Sequence, residues 1–163
     1  IRIFCNDLVL WILRIAKSCN SHGLKMIATP NSAATRFIEM IFPEHANHYG
    51  TLFGGNALSL MGKAAFVAAT RRARTAVVMA SSDKIDFHVP VRVGELVELD
   101  ARVARVGRAS MTVEVEVTAE ALLTGERRLA MRGSFEMVAV DASGKPIAIP
   151  SPELLSANEE RPT

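Results

Sequence analysis

GGNALSLMGKAAFVAA, residues 54–69, is the stretch from which the rest of the chain can be read. Ten of the fourteen residues from Asn56 to Ala69 are apolar, and Asn56, Ser59 and Lys63 leave a thin polar stripe spaced three and four apart. A helix with so little polar surface is expected to be buried almost all round. It is too short and too interrupted to cross a bilayer. The pair Gly54-Gly55 opens it, where a backbone can approach a ligand closely. Arg71, Arg72 and Arg74 follow its end, which suits the negative pole of a helix dipole. Such a helix needs something wrapped around it.

The wrapping is written downstream. Met111, Val113, Val115, Val117, Ala119 and Ala121 alternate with Thr112, Glu114, Glu116, Thr118 and Glu120, the clearest period-two signal in the chain. Leu96 to Val106 alternates in the same way, with a slip of phase near Ala104 that predicts a bulge. Leu129, Met131, Gly133, Phe135 and Met137 form the inward set of a further strand. Ala76–Ser81, continued by Lys84–Val89, and Phe37–Phe42 supply two more. Gly107-Arg108, Thr124-Gly125 and Asp141–Gly144 read as turns. One helix followed by antiparallel strands with one apolar face each gives an α+β fold, a sheet wrapped on a single helix, the hotdog arrangement.

Length and charge bound the rest. The 163 residues suffice for one domain with a sizeable core. A net charge of +2 is too small to argue for nucleic acid. Both cysteines, Cys5 and Cys19, fall in the first twenty residues, so there is no disulfide framework or thiolate metal site beyond them, and a reducing, cytoplasmic setting is expected. Residues 1–25 differ in character from the remainder of the chain. Leu8–Leu13 is apolar but too short to span a membrane, lies between Asp7 and Arg14, and has no clean cleavage site after it. They are expected to be a non-native or upstream-translated extension, with Met26 as the working start and residues 26–163 as a single domain.

Chemistry-bearing residues gather before the helix. The loop EHANHYGTLFGG, residues 44–55, holds His45, Asn47 and His48. Free N–H groups at Gly54 and Gly55 would point out of a helix start and suit a developing oxyanion. Two histidines three apart without further ligands make a poor metal site, and none is expected.

The strings HANHYGTLFGG, DFHVPVRVGELVEL, VGRASMTVEVEV and MVAVDASGKPIAIP, in this order between about Phe37 and Pro150, resemble the cytosolic acyl-CoA hydrolase type of hotdog thioesterase. The resemblance implies hydrolysis of acyl-CoA to CoA and a fatty acid without a metal or other cofactor, in a homodimer that assembles to a homohexamer. It implies Asn47 as a catalytic residue with Gly55, and Gly54, Arg108 and Ser110 as substrate-binding residues near the acyl group or the CoA nucleotide. The family often carries an aspartate two turns into the helix, and here Gly62 stands in that place. The base is then sought at Asp83, Asp86, His45 or His48. In a regular strand Asp83 and Asp86 would face opposite sides. Two alternatives arise from Gly62 and from the five-residue spacing of Asp83 and His88: an acyl-CoA-binding protein without turnover, and an enoyl-CoA hydratase.

Overall fold

The computed structural model describes residues 34–150. The extension expected over residues 1–25 and the tail after Pro150 lie outside the described residues. Strand β1 (Thr35–Met40) leads through a single 3-10 turn (Pro43–His45) and the polar loop into helix α1 (Gly54–Ala73). Strands β2 (Val77–Phe87), β3 (Leu96–Val106), β4 (Ser110–Ala121) and β5 (Glu126–Ala139) follow. The five strands form one antiparallel sheet in the order β1-β3-β4-β5-β2, with β1 and β2 at its edges.

Alternation puts Met111, Val113, Val115, Val117 and Ala119 of β4 in the core, facing α1, while Ala121 is only half-buried at the strand's end. The opposite face is charged and tied across strands. Arg36 lies 3.1 Å from both Glu98 and Asp100, Arg127 3.0 Å from Glu98, and Arg132 3.0 Å from Glu116. Exposed pairs of this kind contribute about 0–1 kcal/mol each, so the sheet is held by its inner face.

Helix α1 presents Ala57, Met61, Gly62, Ala64, Ala65, Ala68, Ala69 and Ala73 to the sheet. So many alanines let the helix axis sit close to Leu99, Val113, Phe135 and Met137. The expectation of burial all round is corrected, because a five-stranded sheet covers one side of a helix. Leu58, Ser59 and Lys63 are exposed, Leu58 to 40 %. Among the described residues of a single copy, nothing covers α1 on that side.

The bulge at Ala104 is present, where the register jumps from Val103 to Arg105. Three further differences have backbone causes. β1 begins at Thr35 and ends at Met40, two residues before the expected limits at each end, because Pro43 opens the 3-10 turn. Ala130 is bulged opposite the Val117–Thr118 step, so Leu129 pairs with Thr118 and turns to the outer face instead of inward. β2 is one strand with two irregularities, at Ala80 and at Lys84-Ile85, where Lys84 has φ 50°. Asp83 pairs with Ser134 and Asp86 with Arg132. Ser134 and Arg132 are two apart and share the outer face, so the bulge puts both aspartates on that face, not on opposite sides.

Candidate active site

The polar loop is folded back on itself at the start of α1. Asn47 N–H donates to Thr51 O at 2.8 Å, Gly50 N–H to Asn47 O at 3.0 Å, and Leu52 N–H to Val91 O at 2.8 Å. His45 O accepts both Phe53 N–H at 2.9 Å and the Asn56 side-chain amide at 3.0 Å. The first turn of the helix is thus clamped to the loop.

Asn47 is fixed by its own loop. Its Oδ1 accepts from Tyr49 N–H at 2.9 Å and from Thr51 N–H at 3.3 Å. Its Nδ2 donates to Thr51 Oγ1 at 3.1 Å. Two backbone donors facing one end of the amide settle which end is oxygen. A side-chain NH2 has two protons, and one bond uses one of them. What Asn47 can still offer is a donor. The expected turn-making role of an asparagine and a chemical role therefore coexist in one side chain, at its two ends.

Three further donors stand nearby in sequence. Ala57 N–H makes the first helical bond, to Phe53 O at 3.0 Å, and the helix has no side-chain N-cap. The N–H groups of Gly54, Gly55 and Asn56 have no partner among the described residues. At Gly55 a β-carbon would lie 2.6 Å from the Phe53 ring, whereas at Gly54 its nearest neighbour, Phe87, would be 3.9 Å away. Steric need accounts for the second glycine but not for the first.

The other candidates divide. His45 Nδ1 accepts Phe42 N–H at 3.3 Å, so this histidine braces the 3-10 turn. His48 stacks on the exposed Tyr49, ring centroids 3.9 Å apart. Asp83 and Asp86 are exposed on the outer face of β2, away from α1, and His88 lies past the strand's end with its N–H donated to Ala130 O. Arg108 and Ser110 lie in and just after the β3–β4 turn, closed by Gly107 N–H to Ser110 O at 2.7 Å. That turn belongs to the far end of α1. Arg108 O accepts from Ile149 N–H, and neighbouring Pro150 O accepts from Arg72 in the helix's last turn, at 3.1 Å. A helix of twenty residues is about 30 Å long. One copy of the chain does not bring Arg108 and Ser110 to Asn47 and Gly55. The helix runs on through Arg71 and Arg72, which the sequence reading places after its end; Arg71 donates to the buried Thr35 hydroxyl at 3.2 Å, and Arg74 takes the left-handed conformation that closes the helix. These are the structural roles that helix ends call for.

Two elements escaped the sequence reading. Glu95 and Arg128 pair at 2.7 Å beside the loop, and Glu95 also accepts Arg92 N–H at 2.8 Å. Burial pushes the Glu95 carboxyl up, but Arg128 and the Arg92 N–H outweigh it and hold it below its ordinary range. Met79, on β2, reaches Gly62. Among the described residues no three His, Cys, Asp or Glu side chains gather as metal ligands would.

One helix wrapped by a five-stranded antiparallel sheet, with a braced asparagine loop at an uncapped helix start, is a hotdog protein of the thioesterase class. The Thioesterase superfamily matches residues 49–125. An uncharacterized acyl-CoA thioester hydrolase of Bacillus subtilis is 41 % identical over 110 residues, covering 68 % of this chain and 64 % of its own length. The chain thus spans a little under two thirds of that relative. Another, of Zymomonas mobilis, is 37 % identical over 137 residues, covering 84 % of this chain and 89 % of its own. The structure resembles a hexameric acyl-CoA thioesterase (40 % identity, TM-score 0.70, 77 % of this chain and 84 % of that one). It also resembles the acyl-CoA hydrolase of Staphylococcus aureus solved with butyryl coenzyme A and coenzyme A (30 % identity, TM-score 0.69, 74 % and 73 %). Mutants of that hydrolase have been solved in which an asparagine, an aspartate fifteen residues further on, or a threonine thirty-two residues beyond the asparagine is replaced by alanine. The chain belongs to the thioesterase superfamily, with the acyl-CoA thioester hydrolases as its relatives.

Proposed function

We propose that the chain hydrolyses acyl-CoA thioesters to coenzyme A and a free carboxylic acid. Water adds to the thioester carbonyl, the carbon–sulfur bond breaks, and the thiolate leaves and takes a proton. The protein must hold the carbonyl oxygen as charge grows on it. The observation that carries the reading is the state of Asn47. Its oxygen is committed to two backbone N–H groups, while Nδ2 keeps a proton to donate. Asn47 then acts as a donor to the thioester oxygen and not as an acceptor for water. The N–H groups at Gly54 and Gly55 are the companion donors. No metal or other cofactor enters this scheme.

The distance between the two ends of α1 supports a homodimer. β2 is an edge strand, and two copies paired antiparallel along it lay their helices antiparallel. The Arg108–Ser110 turn of one copy then stands near the Asn47 loop of the other, where Arg108 receives the phosphates of the nucleotide. The exposed side of α1 is covered in the same step. Hexameric assembly is proposed from the hexameric relative. A cytoplasmic setting is proposed from the absence of cysteine after Cys19. Among the described residues no helix is long and apolar enough to cross a membrane. A second reading, acyl-CoA binding without turnover, is favoured by Gly62 alone. The hydratase reading loses ground because Asp83 faces outward.

The test is thiol release from a series of straight-chain acyl-CoAs with wild type, Asn47→Ala and Asn47→Asp. Asparagine and aspartate offer the same oxygen to Tyr49 and Thr51, so the aspartate variant keeps the loop and loses the donor. Both variants are expected to lose about 100-fold or more in kcat, with the aspartate variant melting like wild type. Full activity in Asn47→Asp would reduce Asn47 to a loop residue. A wild type that binds acyl-CoA and releases no thiol moves the chain to the binding reading.

A further inference from the structure

Gly62 is buried in the middle of α1, where glycine is the least favourable residue after proline. Helix formation gives no reason for it, and packing supplies one. A β-carbon at position 62 would lie 2.9 Å from Met79 Cε. Met79 pairs with the buried Met137 and so points to the helix side of β2, while remaining 41 % exposed at the sheet's edge. The intervals that separate the three replaced positions of the Staphylococcus aureus hydrolase, fifteen and thirty-two, fall from Asn47 on Gly62 and Met79. Where that protein has an acid and a hydroxyl, this chain has a hydrogen atom and a thioether, and the two interlock.

We propose that Gly62 and Met79 are a single coupled replacement that sets turnover in this chain. The Met79 methyl occupies the room a carboxylate at position 62 would take. The site therefore keeps its donors for the thioester oxygen but supplies no carboxylate there to accept a proton from the attacking water. Neither single change restores that function fully, because an acid at position 62 must push aside the Met79 methyl, the end of a flexible side chain, and a hydroxyl at position 79 does not ionise. Of the other groups at which the base is sought, Asp83 and Asp86 face outward, His45 Nδ1 is spent on Phe42 N–H, and His48 packs on the exposed Tyr49. The inference rests on the acyl-CoA hydrolase reading and specifies its rate-setting feature.

The experiment compares wild type, Gly62→Asp, Met79→Thr and the double variant on the same acyl-CoAs, with binding measured beside thiol release. The double variant is expected to raise kcat about tenfold or more while KM stays within about threefold, and each single variant to gain less. Its kcat should fall on the acid side through the carboxylate range, a limb that wild type lacks. Gly62→Asn with Met79→Thr, equal in size but not titratable, should show neither change. Met79→Ala, which opens the same space without adding a group, is the arm to read if the double variant does not fold. Added formate should accelerate it and leave wild type unchanged. A folded double variant no faster than wild type, or a Met79→Ala variant indifferent to formate, overturns the inference and leaves the hydrolase reading standing. A wild type that neither binds nor hydrolyses any acyl-CoA overturns both.

Discussion

The two ends of α1 hold opposite kinds of unspent chemistry. At the N-terminal end the donors are free: Gly54, Gly55 and Asn56 have no capping side chain, and Asn47 keeps one amide proton. At the C-terminal end two arginines are committed, Arg71 to Thr35 and Arg72 to Pro150. Arg74 and Arg108 are exposed with only their backbones engaged among the described residues, and of the two Arg108 sits on the β3–β4 turn. A thioester needs both kinds of group, neutral donors at its carbonyl and cations at its phosphates. The single chain keeps them about 30 Å apart. In the dimer proposed above, a second, antiparallel copy brings the two halves together and covers the exposed side of the helix.

The largest effect outside Asn47 is expected where this comparison is most easily broken, at Arg108. Arg108→Ala should raise KM for acyl-CoA about tenfold, roughly 1.4 kcal/mol, and leave KM for an acyl-pantetheine without the nucleotide unchanged. Arg71→Ala, one charge removed from the committed set, should leave both unchanged. An equal rise on both substrates would show that Arg108 acts on the fold and not on the phosphates.

Asn56 sharpens the comparison from the other end. Its amide holds His45 O at 3.0 Å and so locks the loop carrying Asn47 to the first turn of α1. Asn56→Ala should cost about 1 kcal/mol of stability and lower kcat several-fold without moving KM, because the donors remain but lose their register. A KM effect of the same size would place Asn56 on the substrate instead.

Legibility in the sequence tracks how local each feature is. The β4 alternation from Met111 to Ala119 and the bulge at Ala104 are period-two facts and hold in the fold. β2 was less legible because Ser81, Ser82, Asp83 and Lys84 carry no alternation, and its two bulges decide which way Asp83 and Asp86 point. The side of α1 left bare was hidden for another reason. Hydrophobicity says that a surface will be covered, not whether the same chain covers it. Asn47, Gly54 and Gly55 were found through a motif, but their separation from Arg108 is a tertiary fact. Met79 looked like any strand residue until the helix–strand contact placed it against Gly62.

The smallest expected effect concerns the brace behind the N-terminal end. Glu95 lies 2.7 Å from Arg128 with only 12 % of its side chain exposed, and it accepts Arg92 N–H in the turn that backs Thr51 and Leu52. Burial raises its pKa, yet Arg128 and Arg92 together bring it below its ordinary value of 4.5. A carboxyl with a depressed pKa in the folded state stabilises the fold above the unfolded pKa, and the gain is lost as pH falls through the lower folded value. Wild type should therefore melt a few degrees above Glu95→Gln at pH 7, and the gap should narrow below pH 4.5. Arg72→Ala at the opposite end of α1 breaks a bond to a backbone carbonyl, which does not titrate, so its melting deficit should stay constant over the same range. Thermal melts of the three proteins from pH 7 to 3 make the comparison. A Glu95→Gln deficit as flat as that of Arg72→Ala would mean that the carboxylate charge adds nothing beyond a neutral hydrogen bond, and that the loop end of the helix is braced without any contribution from charge.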